Sequence, residues 1–283
     1  LEPGDRPLHL HTSPEYAMKR LLAAGSGDIY QIAHVVRGRE RSRLHNPEFT
    51  LIEWYRLGFT LEALMSEVDR LVRELLEPRP EPLGSPPSPL GSERITYRDA
   101  FLRELGLDPL TAAFGELEQA ASRFGYTVSR ASARSERSAT DGGAERDELL
   151  DLLMATAVGP RLGQGSLTFV HRYPASQAAL AAVSPEDPRV ALRFELYCEG
   201  VELANGFREL GASDEQRARF EADQAERRRR GLPVPALDER LLAALAAGLP
   251  ACSGVALGFD RLLMIAVGAR HIHAVLPFPT ERA

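Results

Sequence analysis

The stretch DIYQIAHVVRGRERSRLHNPEFTLIEWYR, residues 28–56, decides the fold that we predict for this chain. Its two ends, residues 28–37 and 48–56, are rich in β-branched and aromatic side chains, and a polar segment, residues 38–47, separates them. This pattern predicts two antiparallel strands joined by a long charged loop. A sheet built on that pair would provide the platform for any functional site.

Alternation along the second predicted strand brings chemically useful side chains to one face of the sheet. Because successive side chains point to opposite faces, this face would carry Phe49, Leu51, Glu53 and Tyr55. An aromatic plate, a carboxylate and a phenol suit a flat base together with a cationic or hydroxylated group. Core aromatic residues with a carboxylate at the rim are the plainer interpretation.

The loop before this strand carries five potential cations within nine residues: Arg37, Arg39, Arg41, Arg43 and His45. Closely spaced arginines can bind a polyphosphate through delocalised charge and paired hydrogen bonds. A solvated charged loop is the alternative interpretation of the same residues.

The rest of the chain predicts strands and helices in no regular alternation. Apolar residues at helical spacing, capped by Thr60, predict a helix over residues 59–76, whereas the proline-rich residues 77–94 predict a loop. We expect further helices at residues 97–105, 117–124, 145–157, 213–230 and 237–247, strands at 167–174, 189–198 and 200–207, a polar loop at 129–143, and a strand leading into a helix at 254–267. This order favours an α+β fold with an antiparallel sheet over a doubly wound fold. We expect a single domain over residues 1–283, with residues 77–94 and 129–143 as insertions.

Composition excludes several classes of protein. With 34 basic and 40 acidic residues, the chain lacks the excess of cations that a broad nucleic-acid-binding surface needs. Cys198 and Cys252 have no spacing typical of a disulfide framework or a zinc site, and no apolar stretch approaches the ~20 residues of a membrane span. We therefore expect a cytoplasmic protein with no membrane partner. Lys19 is the only lysine, and this bias indicates a GC-rich genome rather than chemistry.

Two carboxylates in the C-terminal part of the chain could hold a metal ion. Glu202 and Glu209 flank the pair Asn205-Gly206. Carboxylates near a turn can share Mg²⁺, a hard cation that takes oxygen ligands together with substrate phosphates.

A glycine-containing run, GVALGFDR at residues 254–261, ends in an arginine at the predicted start of a helix. Glycines allow a backbone to approach a ligand closely, and Arg261 could stack on a base or bind a phosphate. A packing seam of small residues, with Asp260 as a helix cap, is the plainer interpretation. The chain has neither a Walker P-loop nor a G-x-G-x-x-G segment after a strand.

Taken together, these motifs resemble those of a known family. The chain contains, in order, Thr12-Ser13-Pro14-Glu15, then Arg37, His45-Asn46-Pro47-Glu48-Phe49-Thr50 and Glu53-Trp54-Tyr55, then Glu202-Leu203-Ala204-Asn205-Gly206 with Glu209, and finally Gly258-Phe259-Asp260-Arg261. This set is similar to the catalytic core of class II lysyl-tRNA synthetases. It is more similar still to their short paralogues, which ligate (R)-β-lysine to a lysine of elongation factor P. Residues 53–55, 173–178 and 252–258 carry the likeness to the paralogues.

The resemblance implies ATP and Mg²⁺ as cofactors and lysine or (R)-β-lysine as substrate, and it assigns residues to each. The catalytic residues it implies are Arg37 and Arg261. The ATP-binding residues it implies are Arg37, Gly38, Arg39, Glu40, His45, Asn46, Phe49, Glu202, Leu203, Gly258 and Arg261, with adenine between Phe49 and Arg261. The residues it implies around the amino acid are Ser13, Pro14, Glu15, Glu53, Tyr55 and Glu209, and the metal ligands are Glu202 and Glu209. An acyl-adenylate would form first, and an acceptor would then take the acyl group.

Two departures from the family pattern concern base recognition and assembly. The second family motif usually runs Arg-x-Glu, but this chain has Arg37-Gly38-Arg39-Glu40, so either Glu40 substitutes or base recognition is weaker. The first family motif, which builds much of the dimer interface, is expected before Leu1. A homodimer therefore follows from the resemblance alone.

The sequence leaves three functions open. The motif set and the short segment after Arg261 favour a ligase acting on elongation factor P. A lysyl-tRNA synthetase with its anticodon-binding domain before Leu1 is the second, although tRNA-charging relatives usually have glycine where this chain has Ala256. The third is an inactive binding module, which Arg39 would explain. The acidic balance favours a protein acceptor over tRNA, although residues 227–230 form a local basic patch.

Overall fold

The computed structural model describes residues 9–38, 40–76, 90–126, 142–280 and 282. Its strands are β1 (Ile29–Val36), β2 (Glu48–Leu57), β3 (Gly91–Thr96), β4 (Ser166–Pro174), β5 (Val190–Cys198), β6 (Val201–Arg208) and β7 (Cys252–Gly258). They form one sheet of seven strands in the order β1-β2-β7-β6-β5-β4-β3. Every neighbouring pair is antiparallel except β3 and β4. The predicted α+β fold with an antiparallel sheet is confirmed.

The helices lie around this sheet. They are α1 (Glu15–Ala23), α2 (Leu61–Leu76), α3 (Tyr97–Leu105), α4 (Phe114–Arg123), α5 (Gly142–Leu153), α6 (Ser213–Arg229), α7 (Glu239–Gly248) and α8 (Phe259–Ala266). A π-helical turn, Met154–Val158, follows α5. Among the described residues, no helix combines the length and the apolar character needed to cross a membrane.

The main core lies between α2 and one face of the sheet. The apolar stripe that the sequence predicts on α2 is buried there, in a cluster with Trp54 of β2 and Phe194 of β5. Thr60 caps α2 as expected, because Ala63 N donates to Thr60 Oγ1 over 3.2 Å. Since Trp54 faces α2, its neighbours Glu53 and Tyr55 point to the opposite face, where the candidate site lies.

The structure differs from the sequence-based prediction in three segments. β3 begins at Gly91, inside the predicted loop of residues 77–94, and it is an edge strand, where glycine is tolerated. α5 begins at Gly142, inside the predicted polar loop of residues 129–143. Residues 77–89 and 127–141 lie outside the described residues. α1 was not predicted, and it buries Met18, Lys19 and Leu22.

A tight turn joins β5 to β6, and a predicted helix cap is wrong. In the turn, Glu199 and Gly200 have φ of 51° and 70°. Asp260 is not the cap of α8, because Gly258 occupies the N-cap position. The Asp260 carboxylate instead accepts a hydrogen bond of 2.7 Å from Thr50 N, which ties α8 to β2.

Candidate active site

Four neighbouring strands bring side chains into one row across the face of the sheet opposite α2. Glu53 of β2 lies opposite Ala256 of β7, which in turn lies opposite Asn205 of β6. Glu195 of β5 lies opposite Asn205. Because paired residues in an antiparallel sheet share one face, these side chains point the same way. Two cavities meet at this row, and both Ala256 and Asn205 line each of them.

The larger cavity, of about 340 Å³, has the size of a small-molecule site. The residues that the sequence assigns to ATP and that line it are Arg37, Glu40, His45, Asn46, Phe49, Glu202, Leu203, Gly258 and Arg261. Gly38 lies in the exposed loop and does not line the cavity. Arg39 lies outside the described residues.

Arg261 is held across the larger cavity by hydrogen bonds to the chain. It donates to the carbonyl oxygens of Glu202 over 2.9 Å and Leu44 over 3.3 Å. Its Nη1 also lies 3.6 Å from Glu202 Oε2. These bonds fix a planar cation in advance of any ligand, which suits an anion or the face of a base.

His45 supports Arg261 as a neutral imidazole. Burial, together with the nearby charge of Arg261, lowers the pKa of His45. Arg261 Nη2 lies 2.7 Å from His45 Nε2, and a guanidinium can only donate, so Nε2 accepts. The ring proton is then on Nδ1, which lies 2.7 Å from Ser42 Oγ. His45 therefore lines the cavity but adds no positive charge to it.

Arg37 connects the two cavities because it lines both. Its guanidinium lies over the Phe49 ring, 5.2 Å from the ring centroid. Its Nε donates to the carbonyl oxygen of Thr12 over 3.3 Å. The stacking of adenine between Phe49 and Arg261 stays a prediction.

Asn46 lines the larger cavity, but its amide group bonds to the chain. Its Nδ2 donates to the carbonyl oxygen of Glu48 over 2.6 Å. Its Oδ1 accepts from the Thr280 hydroxyl over 3.0 Å. The side chain thus holds the loop before β2 against the C-terminal segment.

The smaller cavity, of about 150 Å³, collects the residues that the sequence assigns to the amino acid. Those that line it are Ser13, Glu15, Glu53, Tyr55 and Glu209. Pro14 does not line it; this residue is at the N-cap position of α1, and its carbonyl oxygen accepts from Met18 N over 3.0 Å. Asn205, Phe207 and Gly254 also line it, although the sequence assigned none of them to the amino acid.

Glu53 is a buried carboxylate that titrates near neutral pH. Burial, with the repulsion of Glu15, raises the pKa of Glu53 to about 7. A hydrogen bond of 2.7 Å from the Ser13 hydroxyl, together with the charges of Arg37 and Lys19, opposes that rise in pKa. The Ser13 oxygen also accepts from Glu15 N over 3.0 Å, so Ser13 joins the start of α1 to β2.

Lys19 does not line this cavity but contacts two of the carboxylates that do, and the sequence gave it no role. Its ammonium lies 2.8 Å from Glu15 Oε1 and 2.6 Å from Glu209 Oε2. Burial raises the pKa of Glu209, and the charge of Lys19 opposes that rise. The only signal in the sequence was that Lys19 is the single lysine of the chain.

Glu202 and Glu209 line different cavities, which meet at Asn205 and Ala256. Glu202 lines the larger cavity, whereas Glu209 lines the smaller one. The sharing of one Mg²⁺ by these two carboxylates stays a prediction.

Glu195 is the carboxylate that accompanies Glu202. Burial, followed by the negative charge of Glu195, raises the pKa of Glu202 to about 7. Glu195 accepts hydrogen bonds of 2.6 Å from Arg193 Nη2 and from the Tyr197 hydroxyl. Two carboxylates that repel each other beside a polar cavity suit a hard divalent cation, so these residues fit Mg²⁺. Within the described part of the chain, no group of three or more acidic, His or Cys side chains is placed to hold a metal ion.

Comparisons with known proteins identify the family. A family model described as tRNA synthetases class II (D, K and N) matches residues 4–282, and the chain belongs to this family. The chain is 50% identical over 276 residues to the Vibrio cholerae protein named Elongation factor P--(R)-beta-lysine ligase; the match covers 98% of this chain and 79% of that protein. Proteins with the same name from Proteus mirabilis and Salmonella typhi are 49% and 47% identical, and each match covers 98% of this chain and 78% of the relative.

Proposed function

We propose that this chain is an ATP-dependent ligase that activates (R)-β-lysine as an acyl-adenylate and transfers it to a lysine side chain of elongation factor P. The names of its relatives support this substrate and this acceptor. One observation in the site carries the proposal. A small pocket lined by carboxylates opens beside a larger cavity that contains arginines, and Arg37 lines both.

The charges of the two cavities fit the two substrates. Glu15, Glu53 and Glu209 supply negative charge for the ammonium groups of the amino acid. Arg261 and Arg37 supply positive charge for the phosphates of ATP. The carboxylate of the amino acid would lie at the junction, near Arg37, where the α-phosphate of ATP would also lie.

In the first step, a carboxylate oxygen of the amino acid attacks the α-phosphorus. A P–O bond forms, the bond to pyrophosphate breaks, and the acyl-adenylate results. Arg37 and Arg261 would catalyse this step by neutralising the charge that builds up on the α-phosphate, and the pocket would hold the attacking oxygen in line. In the second step, the acceptor amine attacks the acyl carbon, loses a proton and releases AMP.

Glu195 and Glu202 are the residues that would hold Mg²⁺. The ion would supply positive charge that offsets the phosphate charge. Because burial, followed by the charge of Glu195, raises the pKa of Glu202, a bound cation would also favour the ionised form of Glu202.

The experiment is ATP–pyrophosphate exchange, comparing (R)-β-lysine with L-α-lysine and followed by transfer to elongation factor P or to tRNA. We expect exchange to favour the β isomer and the acyl group to appear on elongation factor P. Arg37→Met should reduce exchange by roughly 100-fold or more, since charge stabilisation in a transition state is worth that much. Arg56→Met is the matched control, because Arg56 is an arginine on β2, the neighbour of β1, and pairs with Glu67 of α2, away from both cavities. A preference for the α isomer with transfer to tRNA would overturn the proposal in favour of a synthetase.

The proposal extends to assembly and location. We propose a homodimer in the cytoplasm, because the family resemblance implies a dimer and the acceptor is a translation factor. Sedimentation of the purified protein and fractionation of cells test these two points, and a monomer or a membrane-bound pool would contradict them.

A further inference from the structure

Two arginines of the charged loop line a cavity that the proposed function does not use. Arg41 and Arg43 are two of the five potential cations that the sequence places in the loop before β2. Neither lines the larger or the smaller cavity. They line a third cavity of about 240 Å³, which we call the outer pocket. Its lining also includes Ser42, Asn46, His271, His273 and Thr280.

Two chain segments separate the outer pocket from the larger cavity. In the loop before β2, Arg43 lines the outer pocket, whereas Leu44 lines the larger cavity. In the C-terminal segment, His271 lines the outer pocket, whereas Ile272 lines the larger cavity. Among the described residues, Asn46 alone lines both. An anion in the outer pocket would therefore lie outside the cavity that we assign to ATP.

Hydrogen bonds join these two segments and fix the loop. Ile272 N donates to the Arg43 carbonyl oxygen over 2.9 Å, and Arg43 Nη1 donates to the Arg270 carbonyl oxygen over 3.1 Å. Within the loop, the backbones of Ser42 and His45 pair, with N–O distances of 3.2 and 3.3 Å. The backbone that carries the two arginines is thus ordered without a ligand, which reduces the entropy lost when an anion binds.

The positive charge of the outer pocket is not neutralised by its lining. Among the described residues, no acidic side chain lines the pocket. The side chain of Arg41 has no hydrogen bond or ion pair with a described residue, and that of Arg43 uses only Nη1, in its bond to the Arg270 carbonyl oxygen. A guanidinium stays charged and offers five N–H donors in a planar fork. The two arginines therefore have charge and donors available for an anion.

Ser42 and His271 add further donors to the outer pocket. Ser42 Oγ accepts from Leu44 N over 3.1 Å and from His45 Nδ1 over 2.7 Å, so its own hydroxyl hydrogen is left to donate. His271 Nδ1 accepts from His273 N over 3.3 Å, so this ring donates through Nε2. Guanidinium, hydroxyl and imidazole donors from two segments suit a ligand with several anionic oxygens, which is the chemistry of a phosphate anion.

We propose that the outer pocket is a second anion site of this chain and that it binds a phosphate anion outside the ATP cavity. Two anions share this chemistry: pyrophosphate, which adenylate formation releases, and free inorganic phosphate. Pyrophosphate has more charge and more oxygens for the donors of the two segments, so we expect it to bind more tightly. The inference rests on the proposed function for the source of pyrophosphate, whereas the binding itself requires no reaction.

The test is calorimetric titration of the protein with pyrophosphate or inorganic phosphate after the larger cavity has been saturated with β,γ-methylene-ATP. We expect one pyrophosphate to bind per chain. Arg41→Met and Arg43→Met should each raise the Kd at least about tenfold, because a hydrogen bond to a charged group is worth that much. Arg270→Met is the matched control, since it removes the same charge beside the pocket but its side chain does not line it. This control should leave the Kd near the wild-type value.

Each outcome of the titration decides about the site. Tighter binding of pyrophosphate identifies the reaction product as the ligand, and equally tight binding of inorganic phosphate identifies the free anion; both results support the site. If neither anion binds once the larger cavity is filled, the proposal is overturned. Equal Kd values in Arg41→Met, Arg43→Met and Arg270→Met would overturn it as well, because the anion would then lie elsewhere.

Two further controls separate this site from folding and from the proposed function. Arg41→Met removes no hydrogen bond or ion pair within the described chain, so its unfolding in urea should match that of the wild type. If exchange with (R)-β-lysine proceeds but no anion binds beside the ATP analogue, the outer pocket is refuted and the proposed function stands. If an anion binds there but no lysine isomer supports exchange, the site stands and the proposed function fails.

Discussion

Gly254 allows the sharpest prediction about the amino-acid pocket. It lies on β7 opposite Tyr55 of β2. A Cβ atom built on Gly254 would lie 2.4 Å from two ring carbons of Tyr55 and 2.6 Å from Glu209 Oε1. Such distances are far below van der Waals contact, so Gly254→Ala must displace the Tyr55 ring, the Glu209 carboxylate, or both.

The size of the effect follows from these contacts. Inserting a methyl group into a packed site costs about 1–3 kcal/mol of unfolding free energy. Displacing Glu209 Oε1 also removes a hydrogen bond to a charged group, worth about 1.5–3 kcal/mol, or roughly 10- to 100-fold in KM for the amino acid. KM for ATP should stay near the wild-type value, because Gly254 does not line the larger cavity.

Gly258→Ala is the matched control, since Gly258 lies at the end of the same strand. A Cβ atom there would lie 3.7 Å from its nearest neighbours, Arg261 Cδ and Leu203 O, which is ordinary contact. We expect Gly258→Ala to leave the unfolding free energy and KM for the amino acid unchanged. Urea unfolding and ATP–pyrophosphate exchange measure both quantities. Wild-type stability and wild-type KM in Gly254→Ala would refute the steric reasoning.

Two further predictions concern the carboxylates. Ser13→Ala removes the hydrogen bond that lowers the pKa of Glu53, so this pKa should rise above about 7. The acid limb of kcat/KM should then move to higher pH by roughly one unit. An unchanged pH profile would contradict this. Glu195→Gln and Glu202→Gln should each raise the Mg²⁺ concentration needed for half-maximal exchange, whereas Glu209→Gln should raise KM for the amino acid and leave the Mg²⁺ requirement unchanged. If Glu209→Gln raised the Mg²⁺ requirement and Glu195→Gln did not, the result would support a Mg²⁺ site shared by Glu202 and Glu209, as the sequence predicts.

The side chains of β2 could be assigned to faces from the sequence because alternation is a local property of an extended chain. Phe49 and Leu51 line the larger cavity, and Glu53 and Tyr55 line the smaller one, as that alternation predicts. The five potential cations of residues 37–45 predicted the charge of the larger cavity less well, because one of them, His45, is neutral in its surroundings.

The partnership of Glu195 with Glu202 could not be derived from sequence, because it depends on the register between β5 and β6. That register shifts between Leu196 and Tyr197, so a simple count along two alternating strands does not place the two carboxylates together. A signal was nevertheless present, since Glu195 interrupts an otherwise apolar strand. A charge in the middle of a buried strand requires partners, and Arg193 and Tyr197 provide them.

The positions of Lys19 and Arg37 show how charge is distributed around this pocket. Lys19 pairs with Glu15 and Glu209, while Arg37 provides positive charge where the two cavities meet. An amino acid with two ammonium groups and one carboxylate has its lowest electrostatic energy when the carboxylate faces Arg37. The charge pattern of the pocket thus brings the nucleophilic oxygen to the cavity that would hold ATP, and substrate selection and catalytic orientation have the same physical origin.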